Sequence, residues 1–150
     1  MQTADRFGCD PEFAARARPL LEFLYRRYFR VDLQGVSHLP RQGPALLVAN
    51  HAGALPYDSL MVTTGVQLEH AGHRIVRPLI EDELWHLPFL GVALRRLGAV
   101  RANPENAERL IAGGQLVAVF PEGTPGRIKR FRDRYRLLRF GRGGFVKLAL

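Results

Sequence analysis

Apolar positions recur along the chain in two rhythms. From Pro11, residues Phe13, Ala17, Leu20, Leu21, Leu24 and Tyr28 fall at helical spacing, with Arg16, Arg18, Arg26, Arg27 and Arg30 interleaved. This predicts a basic amphipathic helix over about 11–28, kinked or divided at Pro19, which lacks a backbone donor. Its apolar stripe suits either a cover for the core or a membrane surface. Residues 1–10 read as a loose lead-in and 11–150 as one domain.

Further along, the period shortens. Phe29 to Gln34 alternates apolar and polar residues, the pattern of a half-buried strand, and His38 to Pro44 is rich in turn formers. Ala45 to Ala49 is a continuous apolar run, as expected of a central strand buried on both faces. Asp58 or Ser59 is placed to N-cap a helix running to about Glu69, with Gly72 near its exit. Arg74 to Ile80 reads as the next strand. Leu84 to Leu94 has helical spacing broken by Pro88, and Leu97 to Arg101 is a brief extended segment. Asn103-Pro104-Glu105-Asn106 is a helix start, because Asn caps and Pro fits the first turn. That helix ends at Gly113-Gly114, and Gln115 to Phe120 forms another buried-strand pattern. Strands alternating with helices predict an α/β fold with a mixed, largely parallel sheet and helices on both faces.

Composition narrows the classes. The 150 residues are 47% hydrophobic and 24% charged, the balance of a globular domain. No apolar run reaches the roughly 20 residues needed to span a bilayer. Cys9 is the single cysteine, which excludes an internal disulfide. The net charge of +8 points to an anionic partner, whether nucleic acid, an anionic bilayer or a phosphorylated substrate. A GC-rich genome, which favours arginine codons, would produce the same excess. The densest basic stretch, Arg127 to Arg142, interleaves Phe131, Tyr135 and Phe140. It suits lipid headgroups, stacked bases or a solvated connection. A helical pattern from Phe145 is still running at Leu150, which predicts a C-terminally truncated chain.

Candidate chemistry concentrates after the Ala45–Ala49 run. Asn50-His51 leaves its C-terminal end, and Asp58 opens the following helix. Ligands of α/β sheets bind outside the carboxyl ends of strands. A histidine there suits proton removal near neutral pH, and a carboxylate on its other nitrogen would fix the tautomer. Spacing alone favours the simpler reading, in which His51 ends a strand and Asp58 merely N-caps the helix. Neither Ser37 nor Ser59 has the Gly-x-Ser-x-Gly setting of a nucleophile. His70 and His73 beside Glu69 lack a completing zinc pattern and read as solvated loop residues.

Two motifs carry a resemblance. Asn50-His51 with Asp58, followed by Val119-Phe120-Pro121-Glu122-Gly123-Thr124, resembles the phospholipid/glycerol acyltransferase superfamily of lysophosphatidate acyltransferase-like proteins. Leu97-Gly98-Ala99-Val100-Arg101 resembles the family segment whose arginine helps bind the acceptor phosphate. The resemblance implies catalysis by His51 and Asp58, and substrate binding by Arg101, Phe120, Pro121, Glu122, Gly123 and Thr124. It implies transfer of an acyl group from acyl-CoA or acyl-carrier protein to a lysophospholipid hydroxyl, with no bound cofactor or metal. The implied partners are the lysolipid acceptor and a membrane surface, on the cytoplasmic face, with no nucleic acid.

Six residues separate His51 from Asp58, where the family's commonest form has four. This is more similar to the monoacylglycerol acyltransferase-like branch and implies, as an alternative, a non-phosphorylated acceptor such as monoacylglycerol or an aminolipid. Pro125 stands where many relatives place an arginine, and the family's last block is expected beyond residue 150. The rival from another class is a nonenzymatic basic module that binds membrane or nucleic acid.

Overall fold

A computed structural model describes residues 4–51, 55–123, 130–133, 136–137 and 143–150. Its centre is a four-stranded sheet of β1 (Ala45–Val48), β2 (Val76–Ile80), β3 (Val100–Arg101) and β4 (Leu116–Val119). The strand order is β1-β4-β2-β3, and all three pairings are parallel. Parallel neighbours require crossovers, and the helical segments between the strands supply them. The helices are α1 (Pro11–Phe23), α2 (Tyr57–Glu69), α3 (Asp82–Trp85), α4 (Leu90–Arg96), α5 (Pro104–Ala112) and α6 (Gly144–Ala149).

Alternation along the strands divides the core. Leu47, Val76, Leu116 and Ala118 pack on Val66 of α2, whereas Leu46, Val100, Val117 and Val119 pack on Leu110 and Ile111 of α5. A third cluster joins Ile80 to Leu84 of α3 and Leu94 of α4. All four residues of β4 are buried, as a strand covered on both faces must be. This is the predicted α/β architecture, with helices on both faces.

Several local expectations give way to tertiary context. Among the described residues, the Ala45–Ala49 run lies at an edge of the sheet, because β4 inserts between it and β2, and Val48 is half exposed. Residues 30–35 form no strand despite their alternation. Arg30 has φ +50°, and the Val31 N–H turns back to the Tyr25 carbonyl at 3.0 Å. Pro19 lies inside α1 without ending it, and the chain widens into a π-helical turn at Leu24–Tyr28. His70 is buried: Nε2 donates to the Leu39 carbonyl and Nδ1 accepts from the Gly72 N–H, both at 3.1 Å.

Residues 4–10, read as a loose lead-in, carry contacts to the domain. Asp5 pairs with the buried Arg77 guanidinium at 2.6 Å, Asp10 pairs with Arg96 at 2.7 Å, and Cys9 is buried. Asp10 also caps α1 by accepting from the Phe13 N–H at 3.0 Å. On the other side of the sheet, Gly65 allows close approach of α2 to the α1 extension. A Cβ there would meet Tyr25 Cε2 at 2.9 Å. Most of the basic 127–142 stretch, and Thr124, lie outside the described residues.

Candidate active site at the carboxyl edge of the sheet

The strand ends converge at one edge. Pairing of β1 with β4 continues one residue past Val48, as the Ala49 N–H donates to the Val119 carbonyl at 3.0 Å. His51 therefore leaves the sheet beside Phe120, which follows β4. Their rings stack with centroids 4.6 Å apart and planes inclined by 17°.

The imidazole is fixed from its other edge by α2. Nδ1 of His51 lies 2.8 Å from Oδ2 of Asp58, and both side chains are about nine-tenths buried. Oδ1 of the same carboxylate accepts from the Ser59 N–H at 2.7 Å. Pro56, with no side-chain bond to the helix, occupies the cap position, so Asp58 belongs to the first turn. The Ser59 hydroxyl closes that turn by donating to the Pro56 carbonyl at 3.0 Å. A carboxylate only accepts, so the bond places the proton on Nδ1 and leaves the Nε2 lone pair to receive one. A histidine and carboxylate in this arrangement have the geometry that a general base and its orienting group require.

His51 opens on a cleft shared with Pro56, Ser59, Leu79, Ile80, Glu81, Leu84 and Phe120. Its volume of about 30 Å³ accommodates a group the size of one water, such as a single hydroxyl. Glu81 and Leu84 were not singled out from the sequence. The signal was present, because Glu81 directly follows β2 and so stands at the same strand-end edge as His51.

Arg101 ends β3, in register with Ile80 of β2. Since β2 separates β3 from β4, it is about 10 Å from the line of β4. Its Nε and Nη2 donate to the two Asp82 oxygens at 2.5 and 2.8 Å. This bidentate pair is exposed, and Asp82 raises the guanidinium's already high pKa. Arg101 is therefore on the correct edge but apart from His51. Glu122 is buried in the turn after β4, with Pro121 before it. Gly123 follows at φ +59° and donates to the Phe120 carbonyl at 3.0 Å. That left-handed conformation suits glycine, which has no Cβ to strain.

Among the described residues, no group of three or more His, Cys, Asp or Glu is arranged to hold a metal ion. Among the same residues, no helix is long and apolar enough to cross a membrane.

Known proteins bear on this geometry. The chain is similar to uncharacterized protein Rv0502 of Mycobacterium tuberculosis (strain ATCC 25618 / H37Rv) and uncharacterized protein Mb0514 of Mycobacterium bovis (strain ATCC BAA-935 / AF2122/97), each 53% identical over 149 residues. ML2427 of Mycobacterium leprae (strain TN) is 52% identical over the same length. The matches cover 99% of this chain but only 41–42% of those relatives, so the chain spans about two fifths of their length. No solved structure matches. Residues 30–150 match the family model described as Acyltransferase, and the chain belongs to that family.

Proposed function

We propose that the protein is an O-acyltransferase that moves a fatty acyl group from acyl-CoA or acyl-carrier protein to a lysophospholipid or glycerolipid hydroxyl. The observation that carries this reading is the buried His51–Asp58 pair, with Nδ1 committed to the carboxylate. Nε2 of His51 takes the hydroxyl proton as the oxygen attacks the thioester carbonyl. The carbon–sulfur bond then breaks, and the departing thiolate takes up that proton. Asp58 holds the ring and stabilises the imidazolium between the two transfers.

The post-β4 turn forms one wall. Phe120 lies on the base, and acceptor binding is assigned to Pro121, Glu122 and Gly123 of that turn, together with Thr124, which lies outside the described residues. Arg101 serves an acceptor phosphate from the far side. The acceptor is drawn from a membrane surface, at the cytoplasmic face. General-base catalysis contributes on the order of 10²–10⁴-fold. Thioester-dependent acylation of lysolipids by the full-length protein should therefore fall by about that factor in His51→Ala. An unchanged rate would reject the mechanism. Loss of vesicle or oligonucleotide binding in Arg130→Glu/Arg132→Glu, with His51→Ala silent, would instead identify a nonenzymatic basic module.

The Arg101–Asp82 pair favours a second reading of the acceptor. One full edge of the guanidinium is already occupied by a carboxylate, as suits a neutral acceptor such as monoacylglycerol. The wider His51–Asp58 loop, with six intervening residues, points the same way.

A further inference from the structure

A second hollow lies away from His51. It holds about 340 Å³, the size of a small-molecule site, and is lined by Tyr25, Arg26, Arg27, Arg30, Val31 and Glu69. An irregular backbone builds its wall. The chain leaves α1 through a π-helical turn at Leu24–Tyr28, and Arg30 then takes φ +50°, which is uncommon for a residue other than glycine. The Val31 N–H returns to the Tyr25 carbonyl at 3.0 Å, so the chain folds back and Arg30 joins Arg26 and Arg27 around one space. The Tyr25 hydroxyl donates to Glu69 at 2.8 Å and fixes the hollow to the end of α2.

The hollow is net positive. Arg26 is paired with Glu22 at 2.9 Å, and Glu69 with the carboxyl end of α2 opposes an anion. Among the described residues, Arg27 and Arg30 have no carboxylate partner, so three guanidinium groups outnumber two carboxylates. Guanidinium groups converging in this way suit a ligand with more than one phosphate.

Helix α2 measures the distance from this hollow to the catalytic pair. Asp58 stands in its first turn and Glu69 is its last residue, so at 1.5 Å per residue roughly 16 Å separates them. Two partly exposed rings lie towards the catalytic end: Phe29 meets Tyr57 at 5.4 Å between centroids, and Tyr57 adjoins Asp58. A phosphopantetheine arm has a matching length. About thirteen bonds join its phosphorus to its sulfur, and an extended chain gains about 3.5 Å for every three bonds, so the arm reaches about 15 Å.

We propose that this hollow is the subsite for the nucleotide end of coenzyme A. Arg26, Arg27 and Arg30 hold its phosphates, the pantetheine arm crosses Phe29 and Tyr57, and the thioester arrives at His51. A carrier protein brings a single phosphate on its own surface, whereas three arginines around a hollow of this volume fit a nucleoside bearing several. The inference deepens the acyl-transfer reading. It rests on that reading for the destination of the arm, and on the arginine hollow for the site of the nucleotide.

Calorimetry on the full-length protein tests the subsite without turnover. CoA and adenosine 3′,5′-bisphosphate, which lacks the arm, are both expected to bind more tightly than pantetheine, which lacks phosphate. Arg27→Glu/Arg30→Glu should weaken CoA binding by about tenfold or more, and Arg27→Gln/Arg30→Gln by less. Both variants alter exposed positions, and unchanged thermal melting shows that they fold. In acyl transfer, the Glu variant should raise KM for acyl-CoA by the same factor. KM for S-acyl-N-acetylcysteamine, a thioester without phosphate, should stay the same. Equal CoA affinity in the native protein and both variants overturns the proposal, as does an equal rise in KM for the short thioester. A lower KM for acyl-carrier protein than for acyl-CoA, with the preference lost in the Glu variant, assigns the arginines to a protein partner and also overturns it. CoA binding through these arginines, without acyl transfer from any donor, supports the subsite and counts against the acyl-transfer reading alone.

Discussion

The imidazole of His51 lies nearly flat on the phenyl ring of Phe120, with 4.6 Å between centroids. Asp58 holds one edge of the imidazole, and Phe120 restricts the tilt that a single hydrogen bond leaves free. Ring pairs contribute about 0.5–1.5 kcal/mol beyond burial. Phe120→Leu keeps the site apolar but removes the stack. It is expected to lower kcat by about 2–10-fold while changing KM for either substrate little. A changed KM with constant kcat would make Phe120 a substrate contact instead.

Asp58→Asn tests the tautomer. An asparagine can present N–H to Nδ1, which moves the ring proton to Nε2 and removes the base. The expected loss in kcat is on the order of 10³–10⁴-fold, with the protein still folded. The proton's move from Nδ1 to Nε2 is read from the ¹⁵N shifts of the His51 ring.

The amino-terminal tether should respond to acid. Burial opposes ionisation of Asp5, but the Arg77 guanidinium and the Cys9 and Phe7 N–H groups outweigh it and hold its pKa below 3.8. The Phe13 N–H and then Arg96 hold Asp10 below the same value. A carboxylate with a depressed pKa stabilises the fold above its unfolded value, and that contribution is lost as pH falls through the folded value. Tm should therefore decline below about pH 4. Asp5→Ala leaves the buried Arg77 without this partner at any pH. Allowing for the partial exposure of Asp5, it should cost about 1–3 kcal/mol by denaturant unfolding.

The opposite end of the pH scale reports on Tyr25. Burial, then the hydrogen bond to Glu69, pushes its phenol up to about 12. The stabilisation is complete below about pH 10, the unfolded value, and disappears as pH rises through the folded one. Tyr25→Phe removes this alkaline dependence between pH 10 and 12 in melting curves.

Asp82→Asn probes the acceptor. An exposed ion pair is worth roughly 0–1 kcal/mol, so releasing Arg101 should barely affect Tm. A freed guanidinium is expected to lower KM for a phosphorylated lysolipid by about tenfold, through a charge-assisted bond of about 1.5–3 kcal/mol. KM for monoacylglycerol should stay the same. Side-by-side KM measurements with the two acceptors decide the point.

Patterns complete within a few residues were the legible ones. Asn103 caps α5 by accepting from the Asn106 N–H at 2.7 Å, as its tetrapeptide indicates. Pro88 separates α3 from α4. Patterns that needed a partner were less secure. The alternation at Phe29–Gln34 suits a strand, but among the described residues no neighbour pairs with it, and the positive φ at Arg30 turns the chain away. His70 looked like a loop residue until the Leu39 carbonyl, from a distant turn, completed its hydrogen bonding.

The sequence by itself determined the chemical groups at issue: a histidine after an apolar run, an aspartate in the next helix, and an arginine and a glutamate near later strand ends. Those features are local, because strand and helix periods and turn residues act over a few positions. Only the tertiary structure decided which groups meet. Insertion of β4 beside β1 brings Phe120 onto His51, while β2 holds Arg101 a strand away. The first turn of α2 aims Asp58 at Nδ1 although six residues intervene. Strand order is set by packing both faces of the sheet at once, and no single segment carries that information.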